Sequence, residues 1–374
     1  MVGGVVGRQP KRTSGTPGIP VAAARGSQSA PAVGGLGGKS GGGGGLFCFG
    51  LGYVALALAS RLRREGGWSV GGTVRSPARA ARLKSMGFEA VPFSGARACA
   101  GGVPPFTAEA VLQGLGRCKA VLVSVPPGAS GDDPVLQAFR NELLERAGDL
   151  DWVGYLSTTS LYGDWEGGWV DEKTEPLPES QGALARLEAE IQWLELAEHG
   201  LPVHIFRLGG VYGPRRSLLE AAARPPGELS PTQAARLERP YTSRVHVADV
   251  ASALRASLGA PKRSGGLYCV VDDDPTSRRE ALAYAKTLLV PIGVGDAAVA
   301  GVQEGAGEPV NAPPERGRGG SGGGKRVLNI FLKEDLGWRP AYPTFKEGLA
   351  GLASGPHPLD PFEPGVLDIL VPPP

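Results

Sequence analysis

Leu46-Phe47-Cys48-Phe49-Gly50-Leu51-Gly52-Tyr53-Val54-Ala55 is the stretch whose reading decides the fold. Leu46 to Phe49 reads as a short buried strand, Tyr53 to Arg64 as a helix, and the two glycines as a tight turn between them. Gly50 permits the sharp turn, Gly52 lets the backbone approach a ligand, and Ala55 keeps the helix close to the strand. Such a turn aims backbone N–H groups at one point in front of a helix N-terminus, which is what a pyrophosphate needs. The stretch predicts a dinucleotide site built on Gly50, Gly52, Tyr53, Val54 and Ala55. An ordinary strand-to-helix turn is the alternative.

The second strand, Trp68 to Val74, runs into Arg75, Ser76 and Arg79, with no acid before Glu89. An acidic side chain at that point accepts a ribose 2′-hydroxyl, whereas a guanidinium accommodates a 2′-phosphate. Arg75 and Ser76 therefore point to NADP as the cofactor, with NAD as the second choice. A solvated helix start is the plain alternative for the arginines. Beyond this unit, short apolar runs alternate with helical stretches. Ala120 to Val125, Trp152 to Ser157, Val203 to Leu208 and Gly266 to Val271 read as strands, and Val125 ends its strand beside the expected cofactor. Ser180 caps a helix whose apolar positions Leu184, Leu187, Ile191 and Leu194 share one face, and Gly200 with Pro202 ends it. Thr276 to Leu289 reads as a further helix and Val327 onwards as a compact helical closing unit. The pattern predicts an α/β fold: a Rossmann doubly wound parallel sheet over 46–212 and a smaller C-terminal α+β substrate lobe over 213–353. Residues 241–253 are expected to return to the Rossmann core.

Residues 1–45 hold Arg8, Lys11, Arg12, Arg25 and Lys39 but no Asp or Glu. That basic, hydroxyl-containing, aperiodic composition is expected of a transit peptide to a plastid or other organelle. A disordered extension on a cytoplasmic protein is the alternative. The Gly-rich stretch 293–325 reads as a flexible insertion, and the proline-rich 354–374 as an unstructured tail. A formal net charge of +2 gives no reason to expect a nucleic-acid partner, and the Arg-Gly run near 316–324 lacks interleaved aromatics. Cys48, Cys99, Cys118 and Cys269 form no CxxC pair, and the longest apolar run, Leu46 to Ala59, is too short to span a bilayer.

Several ordered motifs resemble the extended and atypical short-chain dehydrogenase/reductases, the NAD-dependent epimerase/dehydratase superfamily, and more closely its YeeZ-like branch. They are Tyr155-Leu-Ser-Thr-Thr-Ser-Leu-Tyr-Gly163, Phe206-Arg-Leu-Gly-Gly-Val-Tyr-Gly-Pro214, Ser243-Arg-Val-His-Val-Ala-Asp-Val250, Lys325-Arg-Val-Leu-Asn329 and Leu336-Gly-Trp-Arg-Pro340. The resemblance implies a Rossmann domain holding NAD(P) and a lobe closing a substrate cleft; a homodimer is a separate expectation for its assembly. It also implies a Ser/Thr after the fifth strand, a proton-transferring Tyr, and a Lys four residues on that lowers the Tyr pKa. Thr158 takes the Ser/Thr position, and its alternative role is capping its own backbone. Gly182 stands where the family has Tyr, and Arg186 where it has Lys. Arg186 could bind a ribose or phosphate but stays protonated.

Tyr162 is expected to pack, Asp164, Asp171 and Glu172 to lie in a solvated loop, and His246 with Asp249 to join lobe and core. The histidines lack metal-ligand spacing, and Asp272-Asp273-Asp274 reads as a turn and helix cap, so no metal is expected. The substrate is expected to be a small carbonyl, alcohol or sugar-nucleotide. A nonenzymatic NADP-binding redox sensor is the competing reading.

Overall fold

The structure, a computed structural model, describes residues 44–94, 105–224, 231–260, 266–289, 323–355 and 360–370. The transit-peptide expectation falls outside them apart from Gly44 and Gly45, as does most of the glycine-rich insertion. Among the described residues no helix is long and apolar enough to cross a membrane.

β1 (Gly45–Phe49), β2 (Ser69–Val74), β3 (Glu89–Pro92), β4 (Ala120–Val123), β5 (Trp152–Thr158), β7 (Val203–Leu208) and β10 (Gly266–Val270) form one sheet. Its order is β10-β7-β5-β4-β1-β2-β3, and every pairing is parallel. The order reverses at β1, which has β2 on one side and β4 on the other. In open α/β sheets the carboxyl ends of the strands at such a reversal are where ligands bind.

Alternate side chains of β1 enter opposite cores. Leu46 and Cys48 pack with Leu56, Leu58 and Leu62 of α1 (Tyr53–Glu65), Leu83 of α2 (Pro77–Ser85) and Leu254 of α8 (Val247–Gly259). Phe47 and Phe49 pack with Val111 of α3 (Pro105–Gly116), Phe139 of α4 (Pro134–Glu145) and Trp193 of α5 (Gln181–Glu198). Burial on both faces explains why the strands read as continuous apolar runs.

Three expectations change. On α5 the buried face is Ala183, Ala185, Ala189, Trp193 and Leu196, while Leu184 and Ile191 are exposed. The alanines let the helix approach the sheet closely, and Trp193 fills the remaining space, donating to buried Asp133 at 3.0 Å. The return to the Rossmann core, expected over 241–253, extends further, because α8 as far as Gly259 and then β10 pack in the sandwich. The C-terminal lobe's own small core joins Tyr212 and Leu218 to Ala281, Ala285, Phe345 and Leu349. They come from β8 (Gly210–Tyr212), which pairs with β9 (Arg244–His246), and from α6 (Leu218–Ala222), α9 (Arg278–Leu289) and α11 (Phe345–Ala353); α7 (Pro231–Glu238) packs on α9, whereas α10 (Ile330–Leu336) packs on β10 and α8 in the sandwich.

The third change concerns 354–374, expected to be unstructured for most of its length. Residues 360–370 lie against α1 and α2 and end in a short helix, α12 (Val366–Leu370). Phe362 and Val366 are buried, the Phe362 ring lies 5.0 Å from that of Tyr53, and Arg64 donates to the Pro361 carbonyl. Two apolar anchors in a proline-rich tail suffice to hold it.

Candidate functional site

The turn after β1 is held by hydroxyls from its two neighbouring strands. Gly50 has φ +91° and donates its N–H to Thr73 Oγ1 at 2.9 Å, while Ser124 Oγ donates to its carbonyl at 2.6 Å. A Cβ on Gly50 would stand 2.7 Å from Ser124 Oγ, so glycine is required by conformation and by space. Gly52 caps α1 with no side-chain hydrogen bond, and a Cβ there would meet nothing nearer than 4.0 Å. The first N–H groups of α1 thus face open space, which is the arrangement an anion needs. Ala55 is fully buried and brings α1 onto the sheet. Val54 is half-buried at the start of α1, and Val125 flanks Gly50, with Cγ2 3.3 Å from where its Cβ would be.

Tyr53 is placed differently from the expectation. Its side chain turns away from the glycine turn, donates its hydroxyl to the Pro214 carbonyl at 2.9 Å, and is buried against Phe362. Only its backbone belongs to the glycine turn. Thr73 and Ser124 were missed by sequence reasoning; the signal available was a hydroxyl near the carboxyl end of each strand flanking β1.

At the end of β2, Ser76 caps α2, its hydroxyl accepting from Arg79 N at 3.4 Å. Arg75 is exposed. Arg79 reaches the turn itself, donating from Nη2 to the Leu51 carbonyl at 3.2 Å, and its buried Nε has no partner among the described residues. Burial, together with Arg75, pushes the Arg79 guanidinium pKa below its ordinary value. Of the two arginines, Arg79 is the one that reaches the turn.

Thr158 ends β5 half-buried, its Oγ1 accepting from Ser160 N at 3.2 Å and lying 3.2 Å from Ser160 Oγ. Its hydroxyl therefore caps the 3-10 turn Thr159–Tyr162. Arg186 donates from Nη1 to the Leu156 carbonyl at 2.9 Å and lies 3.5 Å from the Tyr155 hydroxyl, so it braces β5 from α5. Gly182 is exposed, and a Cβ there would meet nothing within 4 Å. No side chain stands at that position.

The residues around this gap are mostly tied down. Tyr162 is fully buried, accepting from Arg207 Nη1 at 2.9 Å with Cys269 Sγ 3.1 Å away. Asp164 Oδ1 accepts from Glu166 N and Gly324 N, and Asp171 Oδ1 from Lys173 N and the Thr174 hydroxyl. Glu172 accepts from Cys269 N at 2.7 Å, and burial raises its carboxyl pKa to about 7. These groups order the loop rather than stand free in it.

Residues 323–325, expected to belong to the flexible insertion, join the same loop and lead into β11 (Arg326–Val327), which pairs with β6 (Trp169–Val170). Lys325 Nζ donates to the Gly163 carbonyl at 2.8 Å, and burial with Arg239 lowers its pKa to about 8. Sequence reasoning missed Lys325 as a perturbed group, because its burial depends on a contact 162 residues away. His246 caps α8 through Nδ1, which accepts from Ala248 N at 3.2 Å. The two oxygens of Asp249 accept from Ala341 N and Tyr342 N, fastening the closing segment to α8, and burial raises the Asp249 pKa to about 6. Asp273 pairs with Lys333 and Asn329 while Asp272 lies buried beside Arg244, so the triple-aspartate run diverges.

A cavity of about 570 Å³ lies between the 210–224 segment and helices α7, α9 and α11. Arg215, Arg216, Arg224, Arg236, Arg244 and Arg278 line it. At its edge Tyr53 donates to the Pro214 carbonyl, and the Arg216 guanidinium lies 5.4 Å from the centre of the Tyr53 ring.

A functionally unknown conserved protein from Silicibacter pomeroyi has a solved structure 33% identical to this chain, matching 83% of it and 98% of its own length with a TM-score of 0.63. The chain belongs to the family of that conserved bacterial protein. A protein described as an NAD-dependent epimerase/dehydratase from Methylobacillus flagellatus matches the same share at 23% identity, over 98% of its own length, with a TM-score of 0.56. UDP-glucuronic acid 4-epimerase from Bacillus cereus, solved in complex with NAD, matches 83% of the chain and 96% of its own length at 16% identity and TM-score 0.56. The fold is that of the NAD-dependent epimerase/dehydratases. No family model and no curated protein matches the chain.

Proposed function

We propose that this protein binds NADP and acts as an oxidoreductase or isomerase of the epimerase/dehydratase type, from the YeeZ-like branch, on a small carbonyl, alcohol or sugar-nucleotide substrate. The observation that carries this reading is the uncapped N-terminus of α1 behind the Gly50 turn, with Arg79 bonded to that turn. A pyrophosphate fits the free N–H groups, and Arg79, with an unpartnered Nε, suits a 2′-phosphate beside Arg75 and Ser76. When bound, a nicotinamide supplies hydride chemistry. The chain's own part is to seat the nucleotide on the turn, to brace β5 through Arg186, and to present the Thr158 hydroxyl at the strand end. To polarise a substrate oxygen, Thr158 must give up its bond with Ser160, a small rotation of one side chain.

A nonenzymatic redox sensor is the second reading, favoured by the empty position at Gly182 and by an Arg186 that holds a backbone carbonyl. The exposed Leu184 and Ile191 stripe of α5 further suits a second copy of the chain; Ile191→Glu should then shift the sedimentation coefficient to that of a monomer.

The deciding experiment titrates NADPH and NADH against the wild type, Arg75→Ala and Arg79→Ala, then follows NADPH oxidation over a panel of aldehydes and ketones. NADPH should bind roughly tenfold or more tighter than NADH, with Arg79→Ala removing most of the difference. Equal affinities end the NADP assignment. Binding without turnover, unaltered by Thr158→Val, favours the sensor.

A further inference from the structure

The geometry points to a second anion site: the arginine-lined cavity takes a compact, non-nucleotide small molecule carrying two or more phosphate groups. Reading that molecule as substrate rests on the proposed function, but the site itself does not.

Four features support it. The cavity wall carries six guanidiniums, while Glu220 is its one carboxylate among the described residues and is engaged by the N–H and hydroxyl of Ser217. Arg215 is paired with Asp368 at 2.6 Å, which leaves a large excess of positive charge for a single phosphate to balance. The second feature is Arg244, only 6% exposed, which spends Nη1 on the Thr242 and Thr276 carbonyls and leaves buried Nη2 with no partner among the described residues. An unsatisfied buried guanidinium nitrogen is costly unless an acceptor arrives.

Third, the neighbouring carboxylates offset only part of that excess. Burial lowers the Arg244 pKa, and Asp272 and Asp274 oppose that shift while Arg278 adds to it. Arg278, beyond its burial, is lowered by Arg236, so the Arg236, Arg278 and Arg244 cations still crowd one another. Arginines held together against their own repulsion need an anion between them, and bidentate guanidinium contacts suit phosphate. Fourth, among the described residues the wall offers no open ring for a base. The Phe345 ring faces Arg244 at 5.9 Å and the edge of Tyr284 at 5.7 Å, and Tyr212 is buried edge-on to His246.

The test measures inorganic pyrophosphate and UDP binding to the full chain by calorimetry at fixed ionic strength, with and without saturating NADPH. Pyrophosphate should bind, and UDP should exceed it by no more than roughly threefold. Arg236→Gln with Arg278→Gln should weaken pyrophosphate roughly tenfold or more while leaving NADPH affinity and the melting temperature unchanged. If that double variant melts early, Arg224→Gln, on an exposed side chain, replaces it. No pyrophosphate binding, binding indifferent to these variants, or UDP tighter by roughly tenfold overturns the proposal. Displacement of pyrophosphate by NADPH also overturns it, because the cavity would then belong to the nucleotide turn. Pyrophosphate binding in a protein that ignores both NADPH and NADH would leave this site standing and sink the proposed function instead.

Discussion

Arg207 on β7 sets its guanidinium against both carboxylate oxygens of Glu190 on α5, at 2.8 to 3.2 Å, with both side chains almost wholly out of water. It also donates to Tyr162, so one cation ties together the sheet, the helix and the Tyr-Gly turn below Thr158. Removing one partner of a buried pair strands the other charge, and that usually costs more than the pair contributes. Glu190→Ala should lower the unfolding free energy by about 3–5 kcal/mol in urea titrations. A loss under about 1 kcal/mol would mean that water reaches Arg207.

The two glycines of the turn after β1 should fail in different ways. Gly50→Ala meets Ser124 Oγ and a left-handed backbone, so it should cost about 1–2 kcal/mol of stability and weaken NADPH binding together. Gly52 has an extended backbone and open space, so Gly52→Ala should leave stability within about 0.5 kcal/mol while still impairing nucleotide binding. Chemical denaturation and NADPH titration on the same samples separate the two. Unimpaired binding in Gly52→Ala would remove the turn as a phosphate site.

Gly182 accepts a side chain without collision, so Gly182→Tyr should fold with a melting temperature close to that of the wild type. Arg186→Lys, by contrast, exchanges a planar guanidinium bonded to the Leu156 carbonyl for a single ammonium, and should lose about 0.5–1.5 kcal/mol. Melting curves of the two single variants check this. A strongly destabilised Gly182→Tyr would show that the space is not open.

His204 on β7 lies between the Trp152 and Tyr268 rings, and burial lowers its pKa from 6.5 to about 4, with Asp335 opposing the shift. Between those values the unfolded chain binds a proton that the folded chain refuses. Its stabilising contribution is complete above about pH 6.5 and is lost as pH falls towards 4, by about 3 kcal/mol in total. Glu172 and Asp249 have raised pKa values and act in the opposite direction over an overlapping range. The quantity to measure is therefore the difference between the wild type and His204→Phe in urea midpoints from pH 7 to pH 4. A constant difference would contradict the assignment.

The strand-turn-helix unit at Gly50 was legible because every relation in it is local: the turn, the apolar run and the helix start lie within twenty residues. The motif order and the empty Gly182 position could be read for the same reason. Arg79 was visible as a charge near the turn, but its bond to Leu51 depends on how α2 docks. Thr73 and Ser124 needed the pairing of β1 with β2 and β4 before they could be seen as the clasp on Gly50. On α5 the leucine spacing drew attention away from the alanine face, because hydrophobicity alone does not reveal how closely a helix must approach its sheet. The cavity arginines come from four separate stretches of chain, so no window of sequence displays them as a group.

The segment around Phe362 also bears on how the chain acquires its fold. The bond between Arg64 and the Pro361 carbonyl spans 297 residues, and it closes over the first helix packed on the sheet. During synthesis that helix must wait with Tyr53 and its neighbours uncovered until Pro361 and Phe362 emerge. Such distant contacts slow folding and leave apolar surface exposed in the interval. Completion of this half of the sheet is thus a late event, one that waits on the segment around Phe362.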